Sequence, residues 1–176
     1  MTFMDFKTEL IQINEWKIIR LPDDISKQFP SRGMGMAEVI IKKEDLIVTL
    51  EPDGMSGHWF KVTDEIAQES GLKVGDTVTV SIRPLNEWTE PEVPEDFSRA
   101  LKSSNMLENW DDLTTKARWE WIRWIRSTAN AETRHKRIEV ACSKLESGMK
   151  RPCCFDQTRS SEPEVSKSGI LMTGSK

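Results

Sequence analysis

A chain of 176 residues with 37% hydrophobic and 31% charged side chains has room for one or two small domains, and its composition argues against both wholesale disorder and a membrane protein. No apolar run reaches the roughly 20 residues of a membrane-spanning helix, and the start, Met1-Thr-Phe-Met-Asp-Phe-Lys7, lacks a basic stretch followed by a hydrophobic one, so a cytoplasmic protein is expected. Net charge is −4, and the odd set of Cys142, Cys153 and Cys154 points to reduced thiols rather than a disulfide framework.

The first ~85 residues read as short β-rich runs punctuated by Gly, Pro and Asp. Phe6 to Asn14 and Trp16 to Leu21 form a hairpin around Asn14-Glu15, ended by Pro22, which has no amide hydrogen to give a ladder and starts a short helical turn. Strands follow over 37–42 and 46–50, then the turn signal Glu51-Pro52-Asp53-Gly54 and a loop to Gly57. His58 to Val62 resumes strand; Thr63 or Asp64 caps a short helix that Gly71 closes. Val74-Gly75-Asp76 turns into Thr77–Ile82, whose β-branched residues alternate with period two.

Pro84, Pro91 and Pro94 mark a linker, after which helices are expected from Pro94 to about Ser103 and around Met106 to Trp110. Thr114 caps a helix to about Ser127, and Asn130 caps another over 131–147 with Gly148 as its stop, together a helical hairpin. Residues 152–176 are rich in Ser, Lys and Glu without periodicity and are expected to be a disordered tail.

Trp16-Lys-Ile-Ile-Arg-Leu-Pro22, Val74-Gly75-Asp76, Val93-Pro94-Glu95-Asp96 with Ala100-Leu101, and Glu132-Thr133-Arg134-His-Lys-Arg137-Ile138 stand in an order that resembles the YdeI/OmpD-associated family of bacterial, bacteriocin-protection proteins. The resemblance implies an α+β fold: a small split β-barrel, distantly similar to AbrB- and MazE-type barrels, over 1–90 and a helical domain over 91–151. It implies a role in bacteriocin protection or stress response and brings no catalytic residues with it.

Charge is divided along the chain. Residues 1–113 carry 12 Lys+Arg and 22 Asp+Glu, a net −10, whereas 114–151 carry 10 and 4, a net +6. The basic segment either docks on the acidic body or meets an anionic partner. Within it, Ala117, Trp121, Trp124, Ile125 and Thr128 share a helical stripe expected to face the core. Trp119 lies nearly opposite, among Lys116, Arg123 and Arg126, where it is expected to face solvent or a ligand, to touch Arg123, or to pack on the barrel.

On the next helix the stripe of Ile138, Ala141, Cys142 and Leu145 runs back through Arg134 and Arg137, so two guanidiniums point inward and need carboxylates or a bound anion. Candidate partners are Asp111, Asp112 and the acids of the barrel. The ligand candidates are therefore Arg134, Arg137, Trp119 and Arg123, as an anion site or as an ion-pair network joining the domains.

Zinc-type spacing is absent from Cys153-Cys154, His58 and His135. No nucleophile-and-base signature is visible, and Gly33-Met-Gly35-Met lacks the Lys-Ser/Thr of a phosphate loop and is expected to make a turn. Neither cofactor nor metal nor catalytic residue is expected. The leading expectation is a non-enzymatic binding or protection protein for an anionic small molecule or protein at the domain junction. Nucleic-acid binding through the basic segment and an enzyme with an unrecognised site in the same cleft are the alternatives.

Overall fold

Alternating apolar residues in the first 85 positions require a sheet with one face buried, and the computed structural model, which describes residues 2–153 and 155–173, contains one. Its strands are β1 (Met4–Glu9), β2 (Ile11–Ile13), β3 (Trp16–Arg20), β4 (Gly35–Ile41), β5 (Glu44–Pro52), β6 (His58–Val62) and β7 (Thr77–Leu85). Two short helices, α1 (Asp23–Ser26) and α2 (Asp64–Ser70), interrupt them. The order across the sheet is β1-β7-β4-β5-β6-β3-β2, antiparallel throughout and curled into a half-barrel.

Register places Phe6 opposite Val80 and Val39 opposite Ile82, so one face of three strands meets in a core with Leu10, Ile41, Leu50, Phe60 and Val62. The single hairpin expected over 6–21 is divided at Leu10, fully buried, whose amide and carbonyl bond to Asp76 and Gly75. Consequently β1 pairs with β7, and only β2 pairs with β3 across Asn14-Glu15. Pro84 belongs to β7 instead of a linker. The pairing of β1 with β7 starts at Met4 opposite Ile82, two residues short of Pro84, so no β1 residue on that flank needs the missing amide hydrogen.

The helices α3 (Glu95–Ser103), α4 (Leu107–Asp111), α5 (Thr115–Arg126) and α6 (Ala131–Glu146) complete the α+β arrangement. Thr114 accepts from the Ala117 amide and Asn130 from the Thr133 amide, the two caps that begin α5 and α6. Their core is Phe97, Leu101, Trp110, Ile122, Ile125, Ile138, Ala141 and Leu145, with Phe97 edge-on to Trp110 at 5.1 Å. Among the described residues no helix is long and apolar enough to cross a membrane.

The chain divides into two compact units, a strand unit of residues 2–87, 157–160 and 164–173, and a helical unit of 88–153, 155–156 and 161–163. Disorder does not describe the last segment here. Strands β8 (Ser166–Lys167) and β9 (Ile170–Leu171) form a hairpin, and Val165 and Leu171 are buried with Ile13, Ile18 and Trp59 in a second apolar cluster of the strand unit. Two well-placed apolar side chains anchor a stretch whose average composition is too polar to predict order.

Candidate functional site

Helix α5 carries the densest set of chemical groups. An amphipathic helix would bury one stripe, yet Trp119, Glu120, Trp121 and Arg123 are all buried, on different faces. Segments flanking the helices in sequence explain this. The indole N–H of Trp121 donates to the Lys150 carbonyl at 2.9 Å, and that of Trp119 to the Thr89 carbonyl at 2.7 Å. Arg151 stands 3.5 Å from Glu120, and Arg118 forks onto Glu90 at 3.0 and 2.6 Å. Hydrogen bonds from Arg118 and Thr115 hold the Glu90 carboxyl below the usual range.

Trp119 therefore does not face solvent: it is 9% exposed. The cation over its ring is Arg126, at 5.9 Å, and Arg123 lies instead over Phe155 at 5.1 Å. Arg123 is 1% exposed, a burial that a guanidinium tolerates only when its donors are answered. Its Nε reaches Ser161 Oγ at 3.2 Å, and Nε and a terminal nitrogen of Arg126 approach the same oxygen at 3.4 and 3.3 Å. Arg126 also pairs with Glu162 at 3.0 Å, both side chains about four-fifths buried. Two guanidiniums one helical turn apart thus converge on one hydroxyl, beside a carboxylate and between two aromatic rings.

Arg134 and Arg137 have other surroundings. Arg134 makes a bidentate pair with Asp96 in the first turn of α3, at 2.8 and 3.0 Å. The partner is neither Asp111 nor Asp112. These hydrogen bonds hold the Asp96 carboxyl below its ordinary range and raise the Arg134 guanidinium above its own. Arg137 donates to the Trp124 carbonyl and to Ser127 Oγ, each at 2.8 Å, and stacks over the Trp124 ring at 5.5 Å. It thereby satisfies a terminal carbonyl of α5 and places a cation at the negative end of that helix. Of the four candidates chosen from sequence, Trp119 and Arg123 join one cluster through Arg126; Arg134 and Arg137 hold α3 and α5 to α6.

The strand unit contains a polar group that local sequence did not disclose. Buried His58 lies 3.1 Å from Ser26 Oγ through Nδ1 and 3.1 Å from the Gly33 carbonyl through Nε2. The carbonyl accepts only, so Nε2 carries the hydrogen and Nδ1 accepts from the serine hydroxyl. Burial pushes the imidazole pKa down. With His58 2% and Ser26 1% exposed, no substrate reaches this hydroxyl; the pair fixes a neutral tautomer in the interior. Nearby, Asp53 accepts from the Met55 and Gly57 amides at 2.7 and 2.9 Å and from Arg20 at 3.2 Å. A shallow cleft of about 410 Å³ is lined by Asp23, Lys27, Phe29, Arg32, Met55 and Ser56.

Gly33-Met-Gly35-Met leads into β4, and the Gly33 carbonyl serves His58. Among the described residues no three His, Cys, Asp or Glu side chains are arranged to hold a metal ion. Cys154 lies outside the described residues, and so does any geometry of the Cys153-Cys154 pair. His135 pairs with Glu139 one turn along α6 at 3.0 Å.

Ser161 and Glu162 escaped sequence reasoning because nothing in a Ser- and Glu-rich segment marks the two positions that meet arginines. Ser26 and His58, 32 residues apart, likewise share no local signature.

Comparison with known families gives two separate matches along the chain. Residues 90–148 match the family model described as bacteriocin-protection, YdeI or OmpD-associated, and residues 6–82 match a domain of unknown function, DUF1905. A search of curated proteins found no match.

Proposed function

For a chain that belongs to the bacteriocin-protection, YdeI or OmpD-associated family and carries DUF1905 ahead of the matched helices, we propose a binding role without catalysis: α5 of the helical unit holds an anionic group of a small molecule or protein partner. The observation that supports this is the convergence of Arg123 and Arg126 on Ser161 Oγ beside the Arg126–Glu162 pair. The planar fork of arginine suits carboxylate and phosphate oxygens. Trp119 and Phe155 hold the two guanidiniums in place through their ring faces, so an incoming anion meets donors already oriented. Ser161 and Glu162 bring the same kinds of oxygen atom that such a partner would bring.

The nucleic-acid reading has less support. Arg118, Arg126, Arg134 and Arg151 each already stand against a carboxylate, which leaves less of the +6 segment to meet a phosphate backbone. The Ser26–His58 pair gives an enzymatic reading no support, because both side chains are sealed from substrate.

Isothermal titration with inorganic phosphate tests the proposal on three chains. Glu162→Gln, which removes an internal competitor, is expected to bind phosphate about tenfold more tightly than wild type, and Arg126→Gln to bind none. Absence of phosphate binding in a folded Glu162→Gln chain overturns the reading.

A further inference from the structure

The second apolar cluster of the strand unit has an unusual composition. One wall, Ile13, Ile18 and Trp59 with Ile11 and Trp16 at its margin, lies within the matched range 6–82; the other, Val165 and Leu171 with Met172, lies beyond 148 and outside both matched ranges. The domain is thus recognised without the segment that covers this face.

The covering segment touches the wall as a ligand touches a site. The indole N–H of Trp16 donates to the Glu164 carboxylate at 2.8 Å, and Asn14 Nδ2 donates to the Glu164 carbonyl. Lys61 lies over the Trp16 ring at 4.2 Å. The Leu171 amide donates to the Asp53 carbonyl at 2.9 Å. Beside it, Gly54 leaves room for backbone alone: a Cβ there would come within 2.1 Å of the Gly169 carbonyl oxygen.

β8 and β9 pair only with each other, two residues each, and add no strand to the seven-stranded sheet. A two-stranded hairpin of this size does not hold its shape in water by itself, so its order comes from the wall and from the preceding residues, where Arg159 donates to the Ser168 carbonyl and the Ser160 amide to the Gly169 carbonyl at 2.7 and 2.8 Å. Ser168 and Gly169 make the turn at positive φ, and Ile170, 40% exposed, points away.

We propose that the Ile13–Ile18–Trp59 face is a peptide-binding groove, filled in this chain by residues 164–172 as a tethered ligand. Its external partner is a protein segment of the same chemistry: an acid whose carboxylate meets Trp16 and whose backbone carbonyl meets Asn14, followed by branched apolar residues in the places of Val165 and Leu171 across a tight turn. Selectivity comes from the apolar places of Val165 and Leu171, and register from the bonds of Trp16, Asn14 and the Asp53 carbonyl to the segment. The tether raises the local concentration of the internal segment and keeps weaker competitors out. Nothing in this proposal depends on the arginines of α5.

The test uses the full chain in two forms. In one, a protease site is inserted between Pro163 and Glu164 and cleaved; in the other, Leu171→Asp expels the hairpin without a cut. A fluorescein-labelled peptide of residues 164–173 is then added and its anisotropy followed. The peptide is expected to bind both altered chains and to bind the uncut wild type at least tenfold more weakly, while peptides carrying Val165→Asp or Leu171→Asp fail to bind. The proposal is overturned if either altered chain, shown folded by circular dichroism, ignores the wild-type peptide. It is equally overturned if both lose the folded strand unit, because the hairpin is then part of the core.

Discussion

In the strand unit two buried polar groups are answered largely by the backbone, His58 by the Gly33 carbonyl and Asp53 by the Met55 and Gly57 amides, whereas in the helical unit the buried Arg123 guanidinium is answered by side chains. The difference follows from secondary structure. Sheet and loop leave carbonyls and amides available at bends, so Asp53 is answered by amides two and four residues away and His58 by the carbonyl of Gly33 in a loop. In a helix interior the backbone groups are already used, and a polar residue must reach outward. Arginine has the length and the five donors to do so, and it meets segments that lie far away in sequence.

The sharpest break in that comparison is Arg123→Ala. It removes a fully buried side chain together with its bond to Ser161 and its contact with Phe155, leaving Arg126 on the same hydroxyl, so the helical unit should lose about 3 kcal/mol of stability, read by denaturant unfolding, with hydrogen exchange in β4 and β7 unchanged. Exchange that rises equally in both units would mean that the two do not respond separately.

His58→Ala comes next, with an expected loss of about 2 kcal/mol from the strand unit, since it leaves the Ser26 hydroxyl and Gly33 carbonyl unsatisfied. The pH dependence carries the same information. Burial lowers the pKa of the folded imidazole below the ordinary 6.5, so the unfolded chain takes up its proton first. The stabilisation is complete above that value and is lost as pH falls toward the folded pKa. His58→Gln should flatten this part of the stability profile, and an unchanged slope would assign it elsewhere.

Asp96→Asn gives the smallest effect, about 1 kcal/mol, because the Arg134–Asp96 pair is partly exposed and solvent screens it. Its pH signature lies lower. With the carboxyl pKa lowered from 3.8, the contribution is present above that value and disappears as pH falls through the folded pKa. The His58 contribution to the strand unit is thus lost in mildly acidic solution, and the Asp96 contribution to the helical unit only in stronger acid. Arg134→Ala with Arg137→Ala should lower stability yet leave phosphate binding by Glu162→Gln intact, which separates these two arginines from Arg123 and Arg126.

Much of the architecture was legible before any coordinates. The β-branched alternation of Thr77–Ile82, the caps Thr63, Thr114 and Asn130, the stops Gly71 and Gly148 and the turn at Asn14-Glu15 are all local devices, and each acts where it was expected. The stripe Ile138, Ala141, Cys142 and Leu145 is buried for the same reason: periodicity is a property of the segment itself.

The kind and order of the elements, and the need of Arg134 and Arg137 for oxygen partners, follow from neighbours three or four residues away along the chain. Folding in three dimensions chose which partners they found, split the first hairpin at Leu10, covered Trp119, and brought Ser161 and Glu162 to Arg123 and Arg126 and Val165 and Leu171 to Ile13, Ile18 and Trp59. Each of these joins residues that share no period, so pattern along the chain carries no trace of them; burial and hydrogen-bond satisfaction in three dimensions choose among partners that look alike in one.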